Sequence, residues 1–391
     1  MEMKEMNILS RFYATGYSLT MGLLLAATTS YTYAKSIIIE TESAPIRVTA
    51  ITEGLRNPWG LDFLPDGRMI VTERGGEMRI VEADGTKGPA LEGVPEVAAR
   101  GQGGLLDVTV APDFSSSKRV YFSFSEADKN GKANSTAVFF GELSGDKLAN
   151  VTRVFTQQPK FESTAHFGSR IVFAPDGNLF ITLGDRYSRM EDAQTLDNHH
   201  GKVVRIKPDG SVPADNPFVK TKNALPEIWS YGHRNVQGAA INPASGKLWT
   251  GEHGPQGGDE VNLDEAGNNY GWPVITYGEN YGGGKIGTGT EKAGMEQPLH
   301  KWVPSIATAG MMFYTGDKFP QWKGNLLVTS LAGQTLARLE LDGEKITHEE
   351  RLLKKEVGER LRDIAQSPDG FIYVISDENN GKIYRIEPAK K

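Results

Sequence analysis

The sequence predicts an all-β fold, a six-bladed β-propeller of four-stranded antiparallel blades, on three observations. A phrase built from an apolar strand, a Pro-Asp-Gly-like turn and a second apolar strand recurs six times. The 45 glycines and 20 prolines are scattered between short apolar runs, so they punctuate turns rather than compose a linker. Sustained helical periodicity is hard to find between the copies, whereas Leu179, Ile181 and Leu183 alternating with Phe180 and Thr182 have the period of a strand.

The copies are LDFLPDGRMIVTER from Leu61, VTVAPDFSSSKRVYFSFSE from Val108, IVFAPDGNLFITLGD from Ile171, AAINPASGKLWTGEHG from Ala239, a degenerate MMFYTGDKFPQWKGNLLVTSL from Met311, and DIAQSPDGFIYVISDE from Asp363. In the turn, Pro presets one dihedral, Asp bonds its own backbone and Gly accepts the left-handed conformation, so each copy reads as a hairpin. A separation of roughly 45 to 75 residues suits blades that carry long loops and stack round an axis. The strand-like stretches 46–54 and 382–387 are the candidates to pair and close the ring, which would remove exposed edges. A pair of β-sandwiches is the rival architecture, but sandwiches lack blade-length repetition.

Composition narrows the function classes. Hydrophobic residues at 38% and charged residues at 24% are ordinary for a globular protein with a packed core. A net charge of −6 offers no basic footprint for nucleic acid, which is excluded as a partner. The absence of cysteine removes disulfides, thiolate metal sites, a cysteine nucleophile and C-x-x-C-H haem attachment, so any redox chemistry needs a bound cofactor.

Lys4 and Arg11 precede an apolar stretch, 19–27, and Thr32-Tyr33-Ala34 places small residues before a cut after Ala34. Residues 1–34 therefore read as a secretory signal and 35–391 as one propeller domain, periplasmic or secreted, with no stable membrane insertion once the signal is removed. The alternative is a retained N-terminal anchor, although the stretch is short for a span and is interrupted by Thr20 and Gly22.

A propeller gathers its functional groups on loops at one end of its channel. Four irregular segments carry unusual polar residues: GQGGLLD from Gly101, STAHFGSR from Ser163, the stretch 227–272, and ERLRD from Glu359. His166 is a candidate general base, since imidazole alone has an unperturbed pKa near neutrality; a loop histidine bonded to backbone is the commoner occurrence of that residue type. Arg360 and Arg362 alternate and so point to one face, although strand-end arginines usually make solvated salt bridges. The loop EHGPQGGDE can fold around calcium, which takes oxygen ligands including backbone carbonyls, or be a solvated acidic turn. His199 and His200 are adjacent and cannot face one metal from a regular element, so they read as solvent-facing loop residues. GGGKIGTG from Gly282 lacks P-loop spacing and a following helix.

In their order, GQGG, HFG, YGHRN, EHGPQGGDE and NNYGWP resemble the glucose/sorbosone dehydrogenase family, in particular its periplasmic aldose sugar dehydrogenase branch that uses pyrroloquinoline quinone (PQQ), over roughly residues 45–388. The resemblance implies oxidation of an aldose at C1 to a lactone, with electrons passed to an external acceptor. It gives His166 the proton of the anomeric hydroxyl, and it sets Gln102, Arg234, Asn235, Arg360, Arg362 and, more weakly, Tyr281 around PQQ. The carbonyls of Gly254 and Pro255 would hold a catalytic calcium ion, and Glu260 with the Tyr270 carbonyl a structural one. Three carboxylates and a quinone need guanidinium forks and a polarising cation, which suits this set. Two positions depart from the family: Ala165 replaces an acidic or amide residue before the base, and Ala332 stands where some members supply a lysine. A sugar- or protein-binding propeller without turnover and a calcium-dependent lactonase are the alternatives.

Overall fold

Three of the repeated turns fold as their residues require. Gly67, Gly177 and Gly370 have φ of 88°, 84° and 88°, and each donates its N–H back across the turn, to the carbonyls of Leu64, Ala174 and Ser367 at 2.9 Å. Asp66 and Asp176 accept the N–H two residues on, at 3.1 and 3.0 Å. These are the hairpins that begin the blades. The computed structural model describes residues 36–389; the expected signal segment and its cleavage point lie outside them. No described helix is long and apolar enough to cross a membrane. Among the described residues, helix is confined to the single turns Phe114–Ser117, Met190–Gln194 and Pro320–Trp322.

Six antiparallel sheets form the ring. Blade 1 spans 58–90, blade 2 105–156, blade 3 171–231, blade 4 236–302, blade 5 308–352 and blade 6 361–388. The inner strand of each blade touches the inner strands on both sides, and that of blade 6 (Leu361–Gln366) touches that of blade 1 (Pro58–Phe63), so the circle is complete. Closure uses the two stretches expected from the sequence: Ile46–Leu55 pairs with Gly381–Pro388, with Val48 opposite Ile386. One difference emerges here. Ser36–Ile39 adds a fifth strand to blade 6, while the other five blades have four. Pairing of this edge covers backbone groups that would otherwise face outward.

Apolar side chains fill the wedges between blades. Phe63 meets Tyr373 edge-on at 4.9 Å between blades 1 and 6, Tyr121 meets Phe173 at 5.2 Å between blades 2 and 3, and Trp249 meets Phe313 at 5.4 Å between blades 4 and 5. Aromatic rings bury large areas and favour such edge-to-face contacts.

Polar staples cross the seams as well. A carboxylate near the end of an inner strand accepts a backbone N–H from the next blade: Asp62 from Val110 at 2.7 Å, Asp107 from Ile171 at 2.8 Å, and Asp363 from Leu61 at 3.0 Å. Asp259 takes the N–H groups of Ile306, Ala307 and Thr308 between blades 4 and 5. At the centre, Arg170 joins four blades. It donates to Asp107 at 2.8 Å, Asp363 at 2.9 Å, the Gln237 carbonyl at 2.8 Å and the Arg362 carbonyl at 3.1 Å, and its guanidinium lies 4.3 Å from the Trp59 ring. Burial pushes both carboxyls up, Asp107 to about 7, against the pull of the arginine charge.

Removing one member of a buried ionic group strands the others without compensation. Arg170→Met should therefore lower stability by about 3–5 kcal/mol at pH 8, seen as a lower urea midpoint with an unchanged m-value. A midpoint equal to that of the parent protein would show that the ring does not depend on this hub.

Candidate active site

One mouth of the channel opens into a cavity of about 140 Å³, lined from blades 1, 2, 4, 5 and 6 and from the Phe167–Gly168 lead-in to blade 3. Trp59, in contact with Arg170, forms part of its wall, and Arg74, Arg360 and Arg362 give it a positive lining. Arg362 is buried, holding Gln237 Oε1 at 2.8 Å and Asp377 Oδ2 at 2.6 Å, while its Nε is buried with no hydrogen-bond partner. Burial pulls this guanidinium below its ordinary pKa, and Asp377 pushes it back up. A buried donor without an acceptor is expensive, and here it belongs to an arginine that lines this cavity. Arg360 is exposed at the same wall.

The segment 166–168 is clamped at both ends by side-chain amides on this cavity. Gln102 Oε1 accepts the His166 N–H at 2.8 Å, and Asn235 Oδ1 accepts the Gly168 N–H at 3.1 Å. His166 itself has φ of 53°, a left-handed conformation unfavourable for a side-chain-bearing residue. Its neighbour across the blade is Gly184, where a Cβ would lie 2.2 Å from the His166 carbonyl oxygen. Only glycine allows this approach, and it brings Asp185 Oδ1 to 2.6 Å from His166 Nδ1.

Asp185 orients the imidazole, a task that Ala165 could not perform. The carboxylate also accepts Tyr187 N–H at 2.8 Å on Oδ1 and Trp272 Nε1–H at 2.7 Å on Oδ2. Burial lowers the His166 pKa, and the Asp185 charge restores part of the loss. For Asp185, burial raises the pKa, but the hydrogen bond and charge of His166 together with Arg234 and the Tyr187 N–H hold it below the ordinary value. A neutral imidazole that gives Nδ1–H to a carboxylate presents a lone pair on Nε2, the arrangement of a general base.

A much smaller hollow of about 20 Å³ adjoins, sharing His253 with the first. Arg234, Gly254, Glu260 and Tyr270 line it. Arg234 donates to the His253 carbonyl at 3.2 Å, lies 5.4 Å from the Trp272 ring and offers its own carbonyl to the Asp185 N–H at 2.9 Å. Around Gly254 the chain is so tight that a Cβ would meet the carbonyl oxygens of Gly257 and Gly258 at 2.2 and 2.3 Å. Pro255 is buried beside Gly278. Asn262 bridges Glu252 at 3.2 Å and Glu260 at 3.3 Å, and Glu260 is pushed up to about 8 by burial and then by the Glu252 charge. Among the described residues no three His, Cys, Asp or Glu side chains converge as metal ligands. Pro255 is outside the lining; a cation here would draw on backbone carbonyls and on the Glu252 and Glu260 carboxylates, oxygen donors of the kind a hard ion takes.

Tyr281 stands apart, 65% exposed and outside the lining of both hollows. His199 and His200 correct an expectation: they are buried, not solvent-facing. His200 reaches Asp192 Oδ2 at 2.7 Å and the Pro159 carbonyl at 3.0 Å, and His199 Nδ1 accepts the Gln158 N–H at 3.1 Å, so folded loops cover both rings. Sequence reasoning missed Asp185, Trp272, Arg74 and Asp377. A signal for the acids was present, because the second strand of most repeats ends in one: Glu73, Asp185, Glu252 and Asp377. In a propeller those ends share one mouth.

The sequence profile described as glucose/sorbosone dehydrogenase matches residues 55–385. Aldose sugar dehydrogenase YliI of Escherichia coli (strain K12) is 47% identical over 350 residues, covering 88% of this chain and 94% of that protein. The crystal structure of the soluble aldose sugar dehydrogenase of Escherichia coli in its apo form superposes with a TM-score of 0.85 at 45% identity, covering 88% of this chain and 100% of that one. The PQQ-bound aldose sugar dehydrogenase of Streptomyces coelicolor gives a TM-score of 0.72 at 28% identity, covering 90% and 99%.

Because Asp185 raises the imidazole pKa against burial, Asp185→Asn should move the His166 titration to still lower pH. Nitrogen-detected NMR of labelled histidine reads this directly; an unchanged or higher midpoint would contradict the assigned coupling.

Proposed function

The chain belongs to the glucose/sorbosone dehydrogenase family and is a homologue of aldose sugar dehydrogenases, and from that premise we propose that it oxidises aldose sugars at C1 to lactones and passes the electrons to an external acceptor. The observation that carries this reading is a neutral imidazole, oriented by a buried carboxylate, beside a cavity lined by three arginines, one of which has a buried donor without an acceptor. When bound, PQQ supplies the two-electron acceptor for the C1 hydride, and calcium supplies the charge that polarises its quinone.

This chain's own residues do the rest. Arg74, Arg360 and Arg362 are the groups for carboxylates in the larger cavity, with Gln102 and Asn235 on its walls. Asp377 and Gln237 hold the Arg362 fork in place before any ligand arrives, so little reorganisation is needed. The carbonyls of Gly254 and Pro255 are the proposed ligands of a catalytic calcium ion, and Glu260 with the Tyr270 carbonyl those of a structural one. His166 Nε2 takes the proton of the anomeric hydroxyl, Asp185 stabilises the resulting imidazolium, and Arg234 is placed to favour developing negative charge on the sugar oxygen. Tyr281 remains a proposed rim contact. Residues 1–34 are proposed as an export signal that delivers the enzyme outside the cytoplasm.

Reconstituting the purified apoprotein with PQQ and calcium should give aldose-dependent reduction of an artificial dye that requires both additions. A sugar-binding propeller or a lactonase would not reduce the dye. His166→Ala should retain the cofactor, seen in its absorbance after gel filtration, yet lose turnover by about 100- to 10,000-fold; near-normal turnover in that variant excludes the base. Arg362→Met should instead weaken PQQ binding by about tenfold or more, measured by titration. Since His166 must be neutral to act, kcat/KM should fall only as the pH drops below the ordinary histidine value of 6.5.

A further inference from the structure

Immediately after Asp185 the backbone does something costly twice in succession: Arg186 and Tyr187 have φ of 58° and 70°, left-handed values that side-chain-bearing residues avoid. The first is turned inward and firmly held. Arg186 is fully buried and donates to the carbonyls of Ala165 at 2.8 Å, His166 at 3.3 Å and Ser163 at 2.9 Å and to Asn134 Oδ1, with its guanidinium 3.7 Å from the Phe167 ring. It therefore ties the turn to the segment that carries His166.

The second residue is turned outward. Tyr187 gives its N–H to the same Asp185 oxygen that receives His166 Nδ1, and its ring stands 5.3 Å from the imidazole with the planes at 70°. The residue is 57% exposed, and its hydroxyl has no hydrogen-bond partner among the described residues. The Arg186 contacts and the Tyr187 N–H bond compensate the strained turn, but neither uses the exposed aromatic ring, which leaves the ring itself to be explained by what it meets. Beside a base that acts on an anomeric hydroxyl, the object met is the sugar ring, whose C–H bonds form an apolar face. A rigid aromatic ring covers such a face at little entropic cost.

Resting on the dehydrogenase reading above, we propose that Tyr187 is the stacking platform for the aldopyranose ring, a specificity-determining residue that governs how firmly the sugar is held against His166. The alternative role, a prop that merely holds the imidazole, makes opposite predictions.

Tyr187→Gly removes the ring and suits a φ of 70°, so it should not lower the melting temperature. In protein reconstituted with PQQ and calcium it should raise KM for aldopyranoses by about tenfold with kcat within about twofold, while Tyr187→Phe keeps both within about twofold. Binding of 1,5-anhydroglucitol, which lacks the anomeric hydroxyl and cannot turn over, should be visible by saturation-transfer NMR in the parent and Phe proteins and weakened in the Gly protein. An unchanged KM and unchanged binding in the Gly protein, a fall in kcat alone, or a parent protein that does not bind the anhydro sugar would each overturn the platform. A parent protein that binds it through Tyr187 yet oxidises no aldose would overturn the dehydrogenase reading and leave the platform standing.

Discussion

The contact on which the rest of the molecule depends is the buried hub of Arg170 with Asp107 and Asp363. A ring of six sheets has an empty axis unless something fills it, and here one guanidinium ties blades 2, 3, 4 and 6 together. The same group lies against Trp59, which also contacts the Arg362 guanidinium at 5.4 Å and belongs to the cavity wall. Structural closure and the base of the active mouth are therefore one construction. A charge this deep is tolerated because its donors meet carboxylates and carbonyls.

Around that rigid base, strain is concentrated where chemistry is proposed. His166, Ser169, Arg186 and Tyr187 all have positive φ, at 53°, 93°, 58° and 70°. His166 and Arg186 are held by hydrogen bonds with Gln102, Asp185, Asn134 and the 163–166 carbonyls, and Tyr187 by its N–H bond to Asp185, so the surroundings enforce these conformations rather than the local chain preferring them. The result is an imidazole whose position is set by Gln102, Asp185 and Arg186 together, before a substrate arrives. Such preorganisation would reduce the rearrangement needed for the proposed proton transfer.

Much of this was legible before the fold was known. Pro65-Asp66-Gly67, Pro175-Asp176-Gly177 and Pro368-Asp369-Gly370 announce hairpins because their backbone preferences are local, and 46–54 with 382–387 were recognisable as the closing pair. His166, Arg360 and Arg362 stood out by residue type, and Gln102 and Asn235 through the family resemblance. The fifth strand of blade 6 was not legible, since Ser36–Ile39 resembles any short apolar run. Nor was the burial of His199 and His200, which depends on Asp192 and on the Gln158-Pro159 backbone some forty residues earlier. Tyr281 was singled out by its distance along the chain from NNYGW, and sequence distance says little about where a long exposed loop points.

The amino-acid sequence by itself determined the hairpins, their sixfold recurrence and the residue types available at the mouth, because turn dihedrals and strand alternation are written within a few residues. Tertiary structure alone decided which of those groups act together: that Asp185 rather than residue 165 orients His166, that Trp272 from another blade completes the carboxylate's contacts, and that Arg170 fills the axis. Hydrogen-bond geometry and desolvation are set by atoms brought together from distant parts of the chain, and no local pattern encodes that meeting.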